Sequence, residues 1–377
     1  MMPGSHAFLS ASSSHRWLHC SPSARLEQAF EDRSSEAAAE GTAAHELCEY
    51  KLRRALRLQA EMPVSPYWCE EMDGHTDGYV EFVLETLAEA RTHCTDPVVR
   101  IEQRLDFSDY VIEGFGTGDC VIIADDTLYV IDFKYGQGVL VESENNPQMM
   151  LYALGAIKLF GPLYDFRQVS LSIYQPRRQN LSTWNIPVND LLTWAEDVLK
   201  PAAKLAYEGK GEYCPGEWCR FCRASVLCRA RAEEKLRLAR YEFRKPPLLT
   251  DPEIGEILGK LDDLTHWANE IKGYALQQAI SGKEWHGWKL VEGRSNRRYT
   301  DEAAVEKTVT DAGYDPYERK LLGITAMQKL LGKARFEELL AAYIEKPQGK
   351  PTLVPESDKR PAMNTAEHDF MEENDNE

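Results

Sequence analysis

Apolar and polar residues alternate with a period of two in several stretches of the first half of the chain. Residues 98–107, VVRIEQRLDF, alternate in this way, and two further apolar runs flank the turn ADDT at residues 124–127. Residues 167–177 show the same pattern after an intervening helical stretch. Because this alternation is typical of a strand with one buried face, the pattern predicts four strands of a β-sheet.

Stretches with helical spacing precede and separate these strands. A short helix is predicted after Ser21-Pro22, a longer one with Thr42 as its N-cap, and another at about residues 75–92. The segment NNPQMMLYALGAIKLFG predicts a helix between the third and fourth strands, capped by Asn146. The order of helix, three strands, helix and strand predicts an α/β fold.

The C-terminal part of the chain has a helical pattern throughout. Thr250 and Glu253 have the spacing of a capping box, and TDEAAVEKTV and TAMQKLLGKARFEELLAAYI predict further helices. We therefore predict a core at residues 1–232 that is closed by a cysteine cluster, and a helical region at residues 233–345. The Pro-rich and acidic tail at 346–377 is predicted to be disordered.

The composition indicates a cytoplasmic protein with a sizeable core and no membrane partner. Of the 377 residues 43% are hydrophobic, yet no run of about 18 apolar residues occurs. The sequence MMPGSHAFLSASSSHRWLHC has no basic region followed by an apolar one, so it does not predict a secretory signal. The nine cysteines are therefore expected to be reduced thiols, or metal ligands where they crowd together.

The net charge of −17 argues against broad affinity for nucleic acid, but the charge is uneven. Residues 220–245 contain nine Lys or Arg against three Glu. Such a basic stripe can bind phosphates, and it is equally consistent with a solvated helix face. On a helix through this stretch Arg237, Arg240 and Arg244 would share one face, and these three are the candidate DNA-binding residues.

Two carboxylates are predicted to face each other next to the ADDT turn. If the turn centres between its two aspartates, Asp119 lies directly opposite Asp132, where like charges destabilise a strand pair unless a cation lies between them. Lys134 then lies on the same face as Asp132, with Phe133 turned the other way. Two carboxylates around a divalent ion, with a lysine close by, suit phosphodiester hydrolysis. A surface hairpin with scattered charges is the alternative that this segment alone leaves open.

The neighbouring motifs resemble a known pattern of nuclease residues. They are His45 in GTAAHE, Asp119 in GTGD, Asp132 and Lys134 in DFK, and Gln148 with Tyr152 in PQMMLY. In order and element type they resemble the PD-(D/E)XK superfamily, in particular its RecB-like exonuclease branch. The resemblance implies a restriction-endonuclease-like core, with a central mixed sheet flanked by helices, and a Mg²⁺- or Mn²⁺-dependent deoxyribonuclease, most similar to the exonucleases. A non-catalytic DNA-binding or assembly module that retains this fold is the alternative.

The same resemblance implies a role for each residue of the site. His45, Asp119 and Asp132 would bind the metal ion, with the Phe133 carbonyl as a further ligand, and Lys134 would orient water and stabilise charge. Gln148 and Tyr152 would position DNA or the catalytic residues. Glu102 in RIEQRL, on the first predicted strand, would bind a second metal ion.

Four cysteines lie close together in the sequence YCPGEWCRFCRASVLCRAR: Cys214, Cys219, Cys222 and Cys228. Taken alone, they are consistent with a zinc site that uses all four thiols. Some members of the RecB-like branch instead join one upstream cysteine to a C-x₂-C-x₅-C motif. That resemblance implies a 4Fe–4S cluster on Cys20, Cys219, Cys222 and Cys228, with Cys214 spare and Zn²⁺ as the alternative.

The whole chain is also similar to an uncharacterised family of such nucleases encoded by phages and prophages. The stretches SASSSHRWLHC, EGTAAHEL, CRFCRA and KPTLVPESDKRPAM carry this similarity. It implies DNA, together with phage replication or recombination proteins, as partners, and the host cytoplasm as the location.

Overall fold

A computed structural model describes residues 7–30, 36–237, 250–291, 299–317 and 321–345. Contacts divide the chain into two compact units. The first extends to Leu249 and includes Asp263–Ile271, and the second comprises Thr250–Asp262 and the residues from Lys272 onward. Each of the helices in the described residues is too short or too polar to cross a membrane.

The first unit is built on a five-stranded mixed sheet. Its strands, in chain order and in spatial order, are β1 (Val98–Asp106), β2 (Phe115–Ala124), β3 (Thr127–Phe133), β4 (Gln168–Gln175) and β5 (Asn180–Pro187). Strands β3 and β4 pair in parallel, and every other neighbouring pair is antiparallel. The fold is therefore α/β with a central mixed sheet, as the sequence predicted.

Helices flank both faces of this sheet. The helices of the first unit are α1 (Ser14–His19), α2 (Ser23–Glu27), α3 (Glu36–Ala55), α4 (Glu70–Ala90), α5 (Pro147–Phe160), α6 (Val188–Trp194), α7 (Lys200–Glu208) and α8 (Arg229–Leu236). A π-helical turn, Ala195–Leu199, joins α6 to α7. Alternate residues of β2 belong to two hydrophobic cores on opposite faces of the sheet. Val121 and Ile123 pack on the side of α5, and Cys120 and Ile122 pack on the side of α3 and α4.

The register of the β2–β3 hairpin agrees with the prediction. Cys120 pairs with Ile131 and Ala124 with Thr127, so the numbers of facing residues add up to 251. Asp125 occupies the turn with φ of 50°, the left-handed region that aspartate tolerates better than most residues. The ladder thus brings Asp119, in the middle of β2, level with Asp132 near the end of β3.

Several helix boundaries were also predicted correctly. The Asn146 side chain caps α5 by accepting hydrogen bonds from the main-chain N–H groups of Gln148 and Met149. At the start of the helix Asp251–Ile280 the main-chain N–H of Thr250 donates to Glu253 Oε2 at 2.9 Å, as a capping box requires.

Other boundaries were predicted wrongly. Helix α3 begins at Glu36, so Thr42 lies inside it, and its hydroxyl donates to the Ala38 carbonyl instead of capping the helix. Strand β5 was missed because its alternating pattern consists largely of polar residues, as expected of a strand at the edge of the sheet. The last predicted helix is two helices, since Gly332 interrupts it with φ of 74°.

The C-terminal region is helical in its described residues. Its helices are α9 (Asp251–Ile280), α10 (Glu302–Asp311), α11 (Ile324–Leu331) and α12 (Lys333–Leu340). Among the described residues of these four helices, only Phe336 is buried. The predicted tail at 346–377 lies outside the described residues.

Candidate metal centre and cysteine site

Three potential metal ligands from three different elements meet at one point. His45 of α3, Glu102 of β1 and Asp119 of β2 have donor atoms that all lie within 4.8 Å of one another. His45 Nδ1 lies 3.4 Å from Asp119 Oδ2, and the same carboxylate oxygen accepts a hydrogen bond of 2.7 Å from the main-chain N–H of Phe133. One imidazole and two carboxylates are a ligand set that suits a divalent cation.

Glu102 reaches this point through an unusual backbone conformation. The β1–β2 register places it opposite Asp119, between the pairs Ile101–Cys120 and Gln103–Gly118, and its φ is 50°. A residue other than glycine in the left-handed region costs about 1–3 kcal/mol and is found most often at functional sites. From the sequence Glu102 was expected at a second ion, and the structure instead places it with His45 and Asp119.

The charges of the three groups depend on one another. Burial raises the pKa of the Glu102 carboxyl to about 7, and the neighbouring Asp119 carboxylate adds to this effect. Burial by itself would lower the pKa of the His45 imidazole, but Asp119 raises it to about 9. Burial also acts to raise the pKa of Asp119, and His45 outweighs it, so that this pKa lies below its usual value. Without a metal ion the centre therefore holds protons at neutral pH.

Asp132 and Lys134 form a second part of the site, next to α5. Asp132 is buried and lies 2.7 Å from the Lys134 ammonium. Gln148 of α5 accepts from Lys134 at 3.1 Å and donates to both Asp132, at 3.4 Å, and the Tyr152 hydroxyl, at 3.0 Å. Asp132 was expected from the sequence to bind the same ion as His45 and Asp119. In the structure it bonds to Lys134 and Gln148 and does not belong to the group of three ligands around Asp119.

The opposite face of β3 is apolar, as predicted for Phe133. The Phe133 ring is fully buried and packs against the rings of Tyr79, Tyr135 and Tyr174. Tyr79 lines the same small pocket as His45, Glu102 and Asp119, and its buried hydroxyl has no hydrogen-bond partner among the described residues. An unpaired polar atom in this pocket fits the presence of a bound ion with its water.

A loop held by Gln175 begins two residues after Lys134. We call residues 136–141 the 136–141 loop. Gln175 at the end of β4 is almost fully buried, donates to the carbonyls of Gly136 and Val139 at 2.7 and 2.8 Å, and accepts from the main-chain N–H of Val141 at 3.1 Å. Arg220 donates to the Gly138 carbonyl at 3.4 Å. Sequence reasoning missed Gln175, for which the only available signal was a polar residue that ends an apolar strand before Pro176.

The structure brings Cys20 together with the later cysteines, although almost 200 residues separate them. One cavity is lined by Cys20, Cys214, Cys219, Cys222 and Cys228. Burial raises the pKa of the Cys20 thiol, and burial together with Glu27 raises the pKa of Cys222 to about 12. Cys214 is exposed, whereas Cys20 and Cys219 are buried. Cys214 therefore lines the cavity with the other four cysteines and differs from Cys20 and Cys219 in its exposure.

The sulfur atoms are spread more widely than the ligands of a single ion. Among the described residues, the group of His45, Glu102 and Asp119 is the only one with three or more donor atoms within 4.8 Å of one another. A tetrahedral zinc site, with Zn–S distances of about 2.3 Å, would place its sulfurs roughly 3.8 Å apart. The Ser23 hydroxyl, which lines the same cavity, is buried without a partner among the described residues.

Much of the basic stripe is neutralised by the chain's own carboxylates. The pairs are Arg231 with Glu270 at 2.6 Å, Lys235 with Asp263, and Arg237 with Glu234 at 2.8 Å. Arg237 is exposed and follows the last residue of α8. Arg240 and Arg244 lie outside the described residues, so the shared face of the three arginines stays a prediction.

Comparison with known proteins identifies the family. The chain belongs to the family described as "Protein of unknown function (DUF2800)", which matches residues 6–361. It is also similar to a solved structure titled "Crystal structure of SSO0001", with 13% sequence identity over 58% of this chain and 96% of that one. The TM-score of that comparison is 0.22, which is too low to establish a shared fold.

Proposed function

We propose that the protein is a metal-dependent deoxyribonuclease of the PD-(D/E)XK type, an exonuclease that acts in phage DNA replication or recombination. The observation that carries the proposal is the meeting of two groups where the middle of β2 lies beside the end of β3. One is the ligand group of His45, Glu102 and Asp119. The other is the Asp132–Lys134 pair, which Gln148 holds. The phage context rests on the sequence resemblance alone.

In this proposal His45, Glu102 and Asp119 hold one Mg²⁺ or Mn²⁺ ion. When bound, the ion supplies Lewis-acid polarisation of a phosphodiester and of the attacking water. The Phe133 N–H, by donating to Asp119, fixes the orientation of that carboxylate and leaves its other oxygen for the ion. Because ligands of this kind must be deprotonated, His45 and Glu102 release protons when the ion binds.

Lys134 acts on the phosphate itself. Its ammonium is half-buried, is held by Asp132 and Gln148, and so can donate to a phosphate oxygen without first being ordered. Preorganised donors of this kind stabilise the charge that develops on the phosphate as the water oxygen adds and the ester bond breaks. Gln148 positions Lys134 and Asp132 through its hydrogen bonds, and Tyr152 holds Gln148 in place.

We further propose that Cys20, Cys219, Cys222 and Cys228 hold a 4Fe–4S cluster. The wide spacing of the sulfurs supports a multi-iron group over a single Zn²⁺ ion, and the exposed position of Cys214 supports its omission from the ligands. Bound there, the cluster would join the segment after α1 to the segment before α8. Visible absorption, together with iron and sulfide analysis of anaerobically purified protein, distinguishes a 4Fe–4S cluster from a Zn²⁺ ion.

A cleavage assay tests the nuclease proposal. End-labelled single- and double-stranded DNA is incubated with Mg²⁺ or Mn²⁺ and either the wild type, Asp119→Asn or Asp126→Asn. Asp126 is an exposed residue of the β2–β3 turn and serves as the matched control. We expect metal-dependent cleavage by the wild type and the control, and loss of cleavage in Asp119→Asn. Binding of DNA without cleavage by all three proteins would favour the non-catalytic module.

A further inference from the structure

A buried carboxylate lies between the N-terminal helices and the cysteine segment. Glu27, the last residue of α2, is only 2% exposed. Burying a carboxylate is unfavourable unless it is paired and hydrogen-bonded. Glu27 meets this condition: Arg16 Nη2 lies 2.6 Å from Oε2, and the main-chain N–H of Arg223 donates to Oε1 at 2.7 Å. The Arg223 side chain adds a longer ion pair, with Nε 4.0 Å from Oε1.

Arg16 carries the interaction to the other side of Cys222. Its Nη1 donates to the Phe221 carbonyl at 2.8 Å, while its Nη2 pairs with Glu27. The Glu27–Arg16 pair therefore fixes the carbonyl before Cys222 and the N–H after it. One of the proposed ligands is thus held from both sides by groups that are not thiols.

These contacts close very long stretches of chain. Arg16 and Phe221 are 205 positions apart, and Glu27 and Arg223 are 196 apart. The packing of α1 and α2 on α7 already brings these distant segments close together, so the Glu27 and Arg16 contacts act on segments that are near each other in the fold. Charge-assisted hydrogen bonds of 2.6–2.8 Å to a buried carboxylate belong to the stronger class.

We propose that Glu27 and Arg16 are positioning residues that hold the main chain on both sides of Cys222, so that Cys20 and the three later thiols are gathered before a metal group binds. The cavity is then a preassembled receptor. The competing arrangement is the one known for small zinc domains, where the metal itself folds the site and the metal-free segment is unfolded. The inference is independent of nuclease activity, and it relies on the proposed cluster only for the uptake measurement described below.

Hydrogen exchange of the full-length, metal-free, reduced protein separates the two arrangements. The amides of residues 219–228 are compared in the wild type, in Glu27→Gln and in Glu217→Gln. Glu217 belongs to the same segment, but its side chain is 82% exposed, which makes it a matched control. We expect protected amides in the wild type and the control, and exchange at least about tenfold faster in Glu27→Gln, since losing a charge-assisted hydrogen bond typically costs a factor of ten or more.

Uptake of iron and sulfide provides a second readout. Under anaerobic reducing conditions the growth of the visible absorption band is followed after addition of Fe²⁺ and sulfide. A preassembled site should load several-fold faster in the wild type and in Glu217→Gln than in Glu27→Gln. Wild-type amides that exchange like those of an unfolded peptide, or a Glu27→Gln protein that matches the wild type in both measurements, would overturn the proposal.

A milder variant covers the case in which Glu27→Gln does not fold. The amides of residues 120–131 in the central sheet report global unfolding in the same experiment. If they too lose protection, Arg16→Lys replaces Glu27→Gln, because lysine keeps a charge for Glu27 but lacks the planar fork that reaches two partners. Faster exchange that is confined to residues 219–228 in Arg16→Lys supports the positioning role of Glu27 and Arg16. Unchanged exchange in these residues contradicts it.

Discussion

The main-chain N–H of Phe133, the last residue of β3, donates at 2.7 Å to Oδ2 of Asp119, in the middle of β2. The same oxygen lies 3.4 Å from His45 Nδ1, so one carboxylate atom is shared by the sheet and by helix α3. The bond aligns the strand that carries Asp132 and Lys134 with the strand that carries Asp119. The two parts of the proposed site are therefore coupled through the backbone as well as through charge.

Lys134→Ala should abolish cleavage and also lower stability. The variant removes a preorganised donor, and we expect a loss of at least about 10²-fold in rate. It also leaves the buried Asp132 without its cation, at a cost of roughly 1–3 kcal/mol in the free energy of unfolding. Initial rates and urea denaturation measure the two effects. The control is Lys51→Ala, which removes a lysine paired with Asp73 and Asp77 and should lower stability only. Cleavage near the wild-type rate in Lys134→Ala would show that Lys134 has no part in the mechanism.

Metal affinity should rise with pH in two steps. In the metal-free protein the pKa of Glu102 is about 7 and that of His45 is about 9, so an ion displaces protons from both groups below pH 7 and from His45 alone between the two values. The logarithm of the Mn²⁺ association constant should therefore rise by about 2 per pH unit, then by about 1, and then level off. Titration calorimetry in buffers of different ionisation enthalpy measures the released protons. His45→Ala should remove the upper step, and a flat profile from pH 7 to 9 would exclude His45 as a ligand.

Glu102 should be strained in the absence of metal. With φ of 50° its position favours glycine, so metal-free Glu102→Gly should be more stable than Glu102→Ala by about 1 kcal/mol. The neighbouring Gln103 is a regular paired strand residue, where the order should be reversed by roughly 0.5–1 kcal/mol. Urea denaturation of the four variants gives both differences. If the alanine variant is more stable than the glycine variant at both positions, the Glu102 backbone is not strained.

Gln175→Ala should loosen the 136–141 loop without unfolding the sheet. It removes two donors and one acceptor to main-chain groups of that loop. We expect at least about tenfold faster hydrogen exchange or proteolysis there, by loss of bonds worth roughly 1 kcal/mol each. Because the loop begins only two residues after Lys134, cleavage should fall too. Gln168→Ala, at the other end of the same strand, is the control and should leave the loop unchanged.

Loss of individual cysteines should have unequal effects. Cys20 and Cys219 are buried around the cavity, and Cys214 is exposed at its rim. Cys20→Ser should therefore lower iron content several-fold and destabilise the first unit, whereas Cys214→Ser should leave both nearly unchanged. Iron analysis and thermal unfolding of anaerobically purified proteins provide the comparison. The reverse order would favour a zinc site on the four neighbouring thiols.

Local signals in the sequence predicted the sheet and part of the site. The ADDT turn with its apolar flanks fixed the hairpin register, and Asn146 before Pro147 marked the start of α5. The start of α3 was missed because EAAAEGTAAHE has no apolar stripe before Ala43, so Thr42 was the strongest local capping signal. Propensity alone favours helix throughout this alanine-rich stretch.

Other features could not be predicted because they depend on distant partners. Nothing in RIEQRL predicts that Glu102 adopts a left-handed conformation, which the chain accepts only because neighbouring strand pairs hold it on both sides. Glu27 resembles any exposed glutamate at the end of a short helix until Arg16 and the main chain at residue 223 enclose it. The role of Gln175 could not be predicted either, because its hydrogen-bond partners belong to a loop that has no hydrophobic pattern.

The contact between Arg16 and the Phe221 carbonyl also imposes an order of events during synthesis on the ribosome. Trp17, now only 1% exposed, packs in a core that includes Leu199 and Ala203, residues translated long after it. At roughly 5–20 residues per second, about 10–40 s pass between translation of Arg16 and of Phe221, 205 positions later. During that interval α1 lacks the last of its neighbours, the segment Glu217–Phe221, and Trp17 lacks part of its core until α7 has been made. The N-terminal helices are thus made early and docked late.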